Sequence, residues 1–132
     1  MKVVLDTNVL ISGILWKGNE AKVVKKCQTK ALQNYVSKDI FSEFIRVISY
    51  PKFGLQENEI KAAANMIARL STFVKPKCRF QIIKKDPMDN KFLDCAYEAE
   101  ARYIISGDEH LIGLGIFRDI QILSAKTFLK KL

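Results

Sequence analysis

Apolar residues along this chain switch repeatedly between short continuous runs and stretches with a helical repeat. The run over residues 2–5 stops at Asp6 and reads as a strand. Residues 7–15 then read as a helix that Asp6 or Thr7 can cap. Lys17-Gly18-Asn19 breaks the pattern, and Asn19 is placed to cap a second helix reaching about residue 29. A short strand follows over 34–36, and Ser37 caps a helix over 38–50. In that helix Ile40, Phe41, Phe44, Ile45, Val47 and Ile48 recur at helical spacing until Pro51 ends it. Residues 56–70 form an amphipathic helix of good formers, including Ala62-Ala63-Ala64. Weaker strands are expected over 73–74 and 80–83, and Asp86-Pro87 opens a helix running to about 101. Residues 103–106 read as a buried strand ending at Gly107-Asp108, 120–123 as the last strand, and Ser124 as the cap of a terminal helix.

Strands alternating with helices predict an α/β domain with a mainly parallel sheet. The 132-residue length fits one domain over 1–132. Parallel sheets bind ligands at the carboxyl ends of their strands, which directs attention to polar residues there. The 22 Lys and Arg outnumber the 14 Asp and Glu, a formal charge of +8 that favours a polyanionic partner such as nucleic acid. The three cysteines, Cys27, Cys78 and Cys95, lie far apart with no CxxC, so neither a disulfide framework nor a zinc site is expected. Reduced thiols and the absence of a signal peptide or spanning segment point to the cytoplasm.

Against this basic background the acids stand out. Asp6 and Asp108 each follow a predicted parallel strand, where a carboxylate can cap the next helix, face a ligand, or do both. At about 100° per residue, Asp89 shares a sector with Phe92, Leu93, Ala96 and Ala99. A carboxylate on a core face needs compensation, from a helix N-terminus or a cation. Asp94 falls about 140° from Asp89 and is expected off the core face, as a solvated residue or one that supports a site. Asp86, before Pro87, reads as a helix cap. Glu43 borders the apolar face of its helix, with Arg46 one turn on as an ordinary surface partner. Were Asp6, Glu43, Asp89 and Asp108 to converge, their repulsion would call for a hard divalent cation, the class of ion that takes oxygen ligands and accepts phosphates.

The motifs occur in an order that resembles the PIN-domain family of nucleases. Val3-Val4-Leu5-Asp6-Thr7-Asn8 resembles the family's opening strand, acid and polar pair, and Ser42-Glu43-Phe44-Ile45-Arg46 its second acidic helix. Asp86-Pro87-Met88-Asp89-Asn90-Lys91-Phe92-Leu93-Asp94 resembles the third motif, and Tyr103-Ile104-Ile105-Ser106-Gly107-Asp108 the strand and final acid. The likeness extends through Ile122-Leu123-Ser124 to the closing helix and so spans the chain. It implies a three-layer α/β/α sandwich and a Mg²⁺- or Mn²⁺-dependent ribonuclease, often dimeric. Within the family the nearest subgroup is the prokaryotic one described as toxin components of toxin–antitoxin pairs, which implies a cognate antitoxin partner. Carried over by position, Asp6, Glu43, Asp89 and Asp108 become the metal-binding acids, with Glu43 on the same ion or a second one. Thr7, Asn8 and Ser106 become hydrogen-bonding supports, and Ser106 keeps the hydroxyl of the Thr that many relatives have there. Asp94 becomes a candidate extra acid for a second ion through water.

Lys22, Lys25 and Lys26 on one helix, and Lys84 and Lys85 before the third motif, are candidate phosphate contacts. Trp16 is placed to stack on a base, pack at a subunit interface or fill a loop. The alternative to a nuclease is an RNA-binding module of the same fold without turnover. A receiver domain wants paired acids after its first strand, and a haloacid-dehalogenase-like phosphatase wants Asp-x-Asp; here Asp6 is followed by Thr7-Asn8.

Overall fold

Strand ends and helix caps coincide along this chain, and that coincidence builds its architecture. In the computed structural model, which describes residues 1–132, β1 (Lys2–Leu5) gives way at Asp6 to α1 (Thr7–Leu15). The Asp6 carboxylate accepts from the Val9 amide at 2.8 Å and so caps α1. The second helix, α2 (Asn19–Gln28), differs from expectation at its start. Its cap is Gly18, at φ 143°, no side chain caps it, and Asn19 is already its first residue. That backbone angle favours glycine, so the break in the pattern, and not the asparagine, sets the boundary. Gly13 lets α1 and α2 approach closely, since a Cβ there would lie 2.3 Å from Cγ2 of Val24.

After β2 (Gln33–Val36), Ser37 caps α3 (Lys38–Ile48), and a 3-10 turn at Pro51–Phe53 finishes the segment. Gln56 and Glu59 form a reciprocal capping box that opens α4 (Glu57–Leu70), and β3 (Ser71–Phe73) begins directly at its end. A 3-10 turn at Pro87–Asp89 leads into α5 (Asn90–Ala99), which ends on Glu100 in the left-handed conformation. Then follow β4 (Tyr103–Ile105), the short α6 (Glu109–Ile112), β5 (Ile116–Phe117), β6 (Ile120–Leu123) and α7 (Ala125–Lys131), capped by Ser124.

The six strands form one sheet in the order β3-β2-β1-β4-β6-β5, all parallel except β5, with helices on both faces in three layers. β1 and β4 are adjacent at its centre, Val3 paired with Tyr103 and Leu5 with Ile105. Val3, Val4, Leu5, Ile104 and Ile105 are wholly buried, as expected of central parallel strands covered on both sides. From β1 the chain runs outward one way to β2 and β3, then returns to add β4 and β6 on the other side. The reversal lies between β1 and β4, so the crevice beyond their carboxyl ends is where this fold places a ligand.

The expected strand over 80–83 is absent. Residues 74–83 form an extended strap whose amides pair with side chains of α5 in place of another strand. Glu98 accepts from Lys77 N at 3.0 Å, Asp94 from Phe80 N at 2.8 Å, and Asn90 from Ile82 N and Ile83 N at 3.1 and 2.9 Å. Asn90, Asp94 and Glu98 are spaced four apart and line one face of α5, so the helix offers a ladder of acceptors. This also corrects the placement of Asp94. It is buried, and burial raises its pKa above the ordinary range, because the strap covers the face that a bare helical wheel leaves to water. The β5–β6 hairpin escaped the sequence reading because its turn residues, Arg118 and Asp119, both take positive φ without the usual Asn-Gly signal.

The cysteines are unpaired and fall into two classes. Cys27 and Cys95 have no exposure, and burial pushes both thiols up to about 12, whereas Cys78 on the strap is exposed. Ellman's reagent at pH 8 is therefore expected to modify Cys78 alone in the native protein and all three thiols in denaturant. Rapid native reaction of all three would mean that the core around α2 and α5 opens.

Candidate metal centre

The crevice between the ends of β1 and β4 is lined by Asp6, Thr7, Asn8, Glu43, Val47, Asp86, Asp89, Phe92 and Asp108, and encloses about 180 Å³. Asp6 enters it from β1, Asp108 from the turn after β4, Glu43 from α3, and Asp86 and Asp89 from the 3-10 turn before α5. A larger hollow of about 650 Å³, lined by Tyr97, Arg102, Arg118 and Gln121 among others, lies at the amino ends of β4 and β6. That hollow mixes Glu100 and Asp119 with its two arginines, whereas five acids and no base gather at the other end of the sheet, so the smaller pocket is the chemically distinctive one.

Ser106, fully buried, joins the two strand-end acids. Its hydroxyl donates to Asp6 Oδ2 and accepts from the Asp108 amide at 2.9 Å. Asp108 in turn accepts from the His110 amide at 2.7 Å and caps α6. Asp6 and Asp108 therefore serve as caps and also face the pocket. Burial pushes the Asp6 carboxyl up to about 6, with the charge of Asp108 adding to the rise and the hydrogen bonds from Ser106 and Val9 opposing it.

Asp89 is the least compensated of the acids. It is 9% exposed, and its Oδ2 is buried without a hydrogen-bond partner. Burial first, then the charges of Asp108, Asp86, Glu43 and Asp6, push it up to about 7. It does not cap α5 through its side chain. Glu43 is the opposite case: Oε1 accepts from the Thr7 hydroxyl, Oε2 from the Lys91 ammonium, and Arg46 lies 3.7 Å from Oε2.

Asp86 was expected to cap a helix, and the structure corrects this. Its side chain makes no capping bond; one of its oxygens joins one each from Asp89 and Asp108 in a group lying within 4.8 Å of one another. The signal was present in the sequence as acids three apart around a proline, because a 3-10 turn eclipses residues i and i+3. Lys91, 7% exposed, carried no such signal, since Glu43 lies 48 positions away. Of the expected supports, Thr7 bonds Glu43 and Ser106 bonds Asp6, while Asn8 lines the mouth without a side-chain hydrogen bond. Asp94 faces the strap and does not line the pocket. Among the candidate phosphate contacts, Lys22, Lys25, Lys84 and Lys85 are exposed and Lys26 is half-buried; none lines the pocket. Trp16 is 56% exposed and tilts against Phe53, with ring centroids 6.0 Å apart.

The structure brings the strand-end acids of the motifs into one carboxylate pocket at a parallel-sheet switch point, and comparison with known proteins bears on the family. The family model described as "PIN domain" matches residues 2–110. This chain belongs to the PIN domain family. It is also similar to the uncharacterized protein MJ1680 of Methanocaldococcus jannaschii, 34% identical over 118 residues that cover 86% of this chain and 75% of that one. PIN domains are in general nucleases and typically use a divalent metal, and membership points to a nucleic-acid substrate. This PIN domain's donor set suits such an ion: the charged lining is all carboxylate, one buried oxygen is unpartnered, and mutual repulsion is already written into Asp6 and Asp89. No helix of the chain is long and apolar enough to cross a membrane.

Proposed function

We propose that the chain, as a single PIN domain over residues 1–132, is a metal-dependent endoribonuclease that hydrolyses RNA phosphodiester bonds with Mg²⁺ or Mn²⁺. The observation that carries this reading is the unpartnered, buried Oδ2 of Asp89 among Asp6, Asp86 and Asp108. Asp86, Asp89 and Asp108 would hold the ion, with Asp6 beside them, and Glu43 closes the pocket on the α3 side. When bound, a divalent ion supplies positive charge for a phosphate oxygen and lowers the pKa of water.

The chain's own residues then have distinct tasks. Ser106 holds Asp6 and the Asp108 backbone together, which fixes the spacing between the ends of β1 and β4. Thr7 and Lys91 hold Glu43. Phe92 and Val47 give the pocket an apolar wall that limits water near the carboxylates and strengthens their electrostatics. Lys84 and Lys85, exposed just before Asp86, are the candidates to meet the RNA backbone, with Lys22, Lys25 and Lys26 on α2 as a second set. Such contacts make RNA binding salt-sensitive.

The finer role, a cytoplasmic and dimeric toxin held by a cognate antitoxin, rests on the likeness of the motifs to that prokaryotic subgroup. Growth arrest on expression, relieved by a co-expressed neighbouring gene, is the expected outcome in a bacterial host.

The deciding assay is a cleavage time course on single-stranded, structured and transfer RNAs with Mg²⁺, Mn²⁺ or EDTA. Cleavage is expected only with metal, and Asp6→Asn is expected to lower it by at least about 100-fold, the scale on which loss of one preorganised charged group acts. Cleavage by Asp6→Asn at the wild-type rate would overturn the assignment. Salt-sensitive RNA binding with no cleavage would put the RNA-binding module in its place.

A further inference from the structure

The pocket's acids differ in how much of their bonding capacity the protein itself uses. Glu43 has both oxygens engaged, by the Thr7 hydroxyl and by the Lys91 ammonium. Asp6 likewise has one oxygen on the Val9 amide and the other on Ser106. Asp89 Oδ2 is unpartnered, Asp86 makes no side-chain hydrogen bond to cap its turn, and together with Asp108 they bring three oxygens within 4.8 Å of one another. Free ligand capacity is therefore concentrated on one side of the pocket.

On the Glu43 side of the pocket, Lys91 takes up the second carboxylate oxygen. Its side chain is 7% exposed, and an ammonium is seldom kept so far from water unless it is paired. Its one salt-bridge partner is Glu43. Arg46 also approaches Glu43 but is 58% exposed, so water screens it. We propose that Lys91 is a positioning residue that makes this a one-ion centre: by occupying Glu43 it withholds the carboxylate that a second ion would need. Two-ion sites hold their metals about 3.5–4 Å apart, and carboxylates must surround both. Here a second ion would have to strand a buried ammonium.

The inference rests on reading the pocket as a metal centre, and Mn²⁺ binding to the full chain separates the two claims without any assay of cleavage. Calorimetric titration of metal-free wild type is expected to give one Mn²⁺ per chain, with an isolated-ion electron paramagnetic resonance spectrum. Lys91→Met releases Glu43 and is expected to take two ions with an exchange-coupled spectrum; Lys91→Arg stays at one. The double variant Lys91→Met/Glu43→Gln removes the pair as a unit. It is expected to bind one Mn²⁺ within about threefold of the wild-type affinity, and it keeps the test open if the single variant fails to fold. Two ions in wild type, one ion in a folded Lys91→Met, or a tenfold loss in the double variant overturns the one-ion proposal. A wild type that binds no Mn²⁺ overturns the metal-centre reading itself.

Discussion

Asp89→Asn is expected to make the metal-free protein more stable at pH 8 by about 1–3 kcal/mol while abolishing metal-dependent cleavage. The Asp89 carboxyl is pushed from its ordinary 3.8 to about 7, first by burial and then by four neighbouring acids. The folded state thus keeps a proton that the unfolded state has released. Asp89's contribution to wild-type stability is whole below about pH 4, falls as the pH rises toward 7, and carries a constant penalty above that. Asparagine has the same shape and no charge, so the difference between the proteins opens across that window and is flat beyond it. For a chain of this size the gain corresponds to roughly 3–10 °C in melting temperature. Saturating Mn²⁺ should invert the order, because an ion that binds only the folded wild type stabilises it and leaves the variant behind. Thermal melts at pH 4 and pH 8, with and without Mn²⁺, read all four corners. A variant that is less stable than wild type at pH 8 without metal would show that Asp89 is compensated within the protein, and the reading of an unfilled cation site would fail.

Such a penalty is not what a merely structural acid would carry. The crowding expected to lower stability without metal also concentrates carboxylate oxygens, so on the proposed reading instability and ion affinity share one origin. Glu43 marks the boundary of that logic. It lies in the same pocket, yet Thr7 and Lys91 already satisfy it.

The elements legible in the sequence were those whose signals are local. The buried apolar runs of β1 and β4 and the side-chain caps at Asp6, Ser37 and Ser124 lie within a few residues of the structure they specify. The reversal of strand order then carries Asp6 and Asp108 to one crevice, which is why strand-end acids could be picked out before the fold was known. What escaped depended on partners distant in sequence. Lys91 reads as a surface lysine until α3 and α5 are brought together. Asp94 reads as solvated until the strap lies over it. Residues 80–83 have strand-like composition, but their amides are taken by a helix, an outcome that β-propensity cannot distinguish from a ladder.

The strap makes Asn90 the residue on which the site's third motif depends. Its amide uses every bond available to it: Oδ1 accepts from Ile82 N and Ile83 N, and Nδ2 donates to the carbonyls of Ile83 at 2.9 Å and Pro87 at 3.0 Å. It is buried, so truncation leaves backbone groups unpaired where water reaches poorly. Asn90→Ala is expected to cost about 2–4 kcal/mol in chemical denaturation. Asn90→Asp should fare little better, since a carboxylate cannot donate to the two carbonyls and adds charge beside Asp86 and Asp89. The effect on function should exceed the effect on folding. Asn90 ties the strap to the 3-10 turn that carries Asp86 and Asp89, so its loss frees two of the proposed ligands at once. Mn²⁺ affinity measured well below the variant's melting temperature should fall at least about tenfold, the scale seen when groups supporting metal ligands are removed. Asp94→Ala supplies the contrast: it removes one strap bond a helical turn further along α5, and should lower stability while leaving Mn²⁺ affinity within a fewfold of wild type. Equal losses of affinity in the two variants would mean that the strap acts on the site only through global stability, and that Asn90 holds no special place in it.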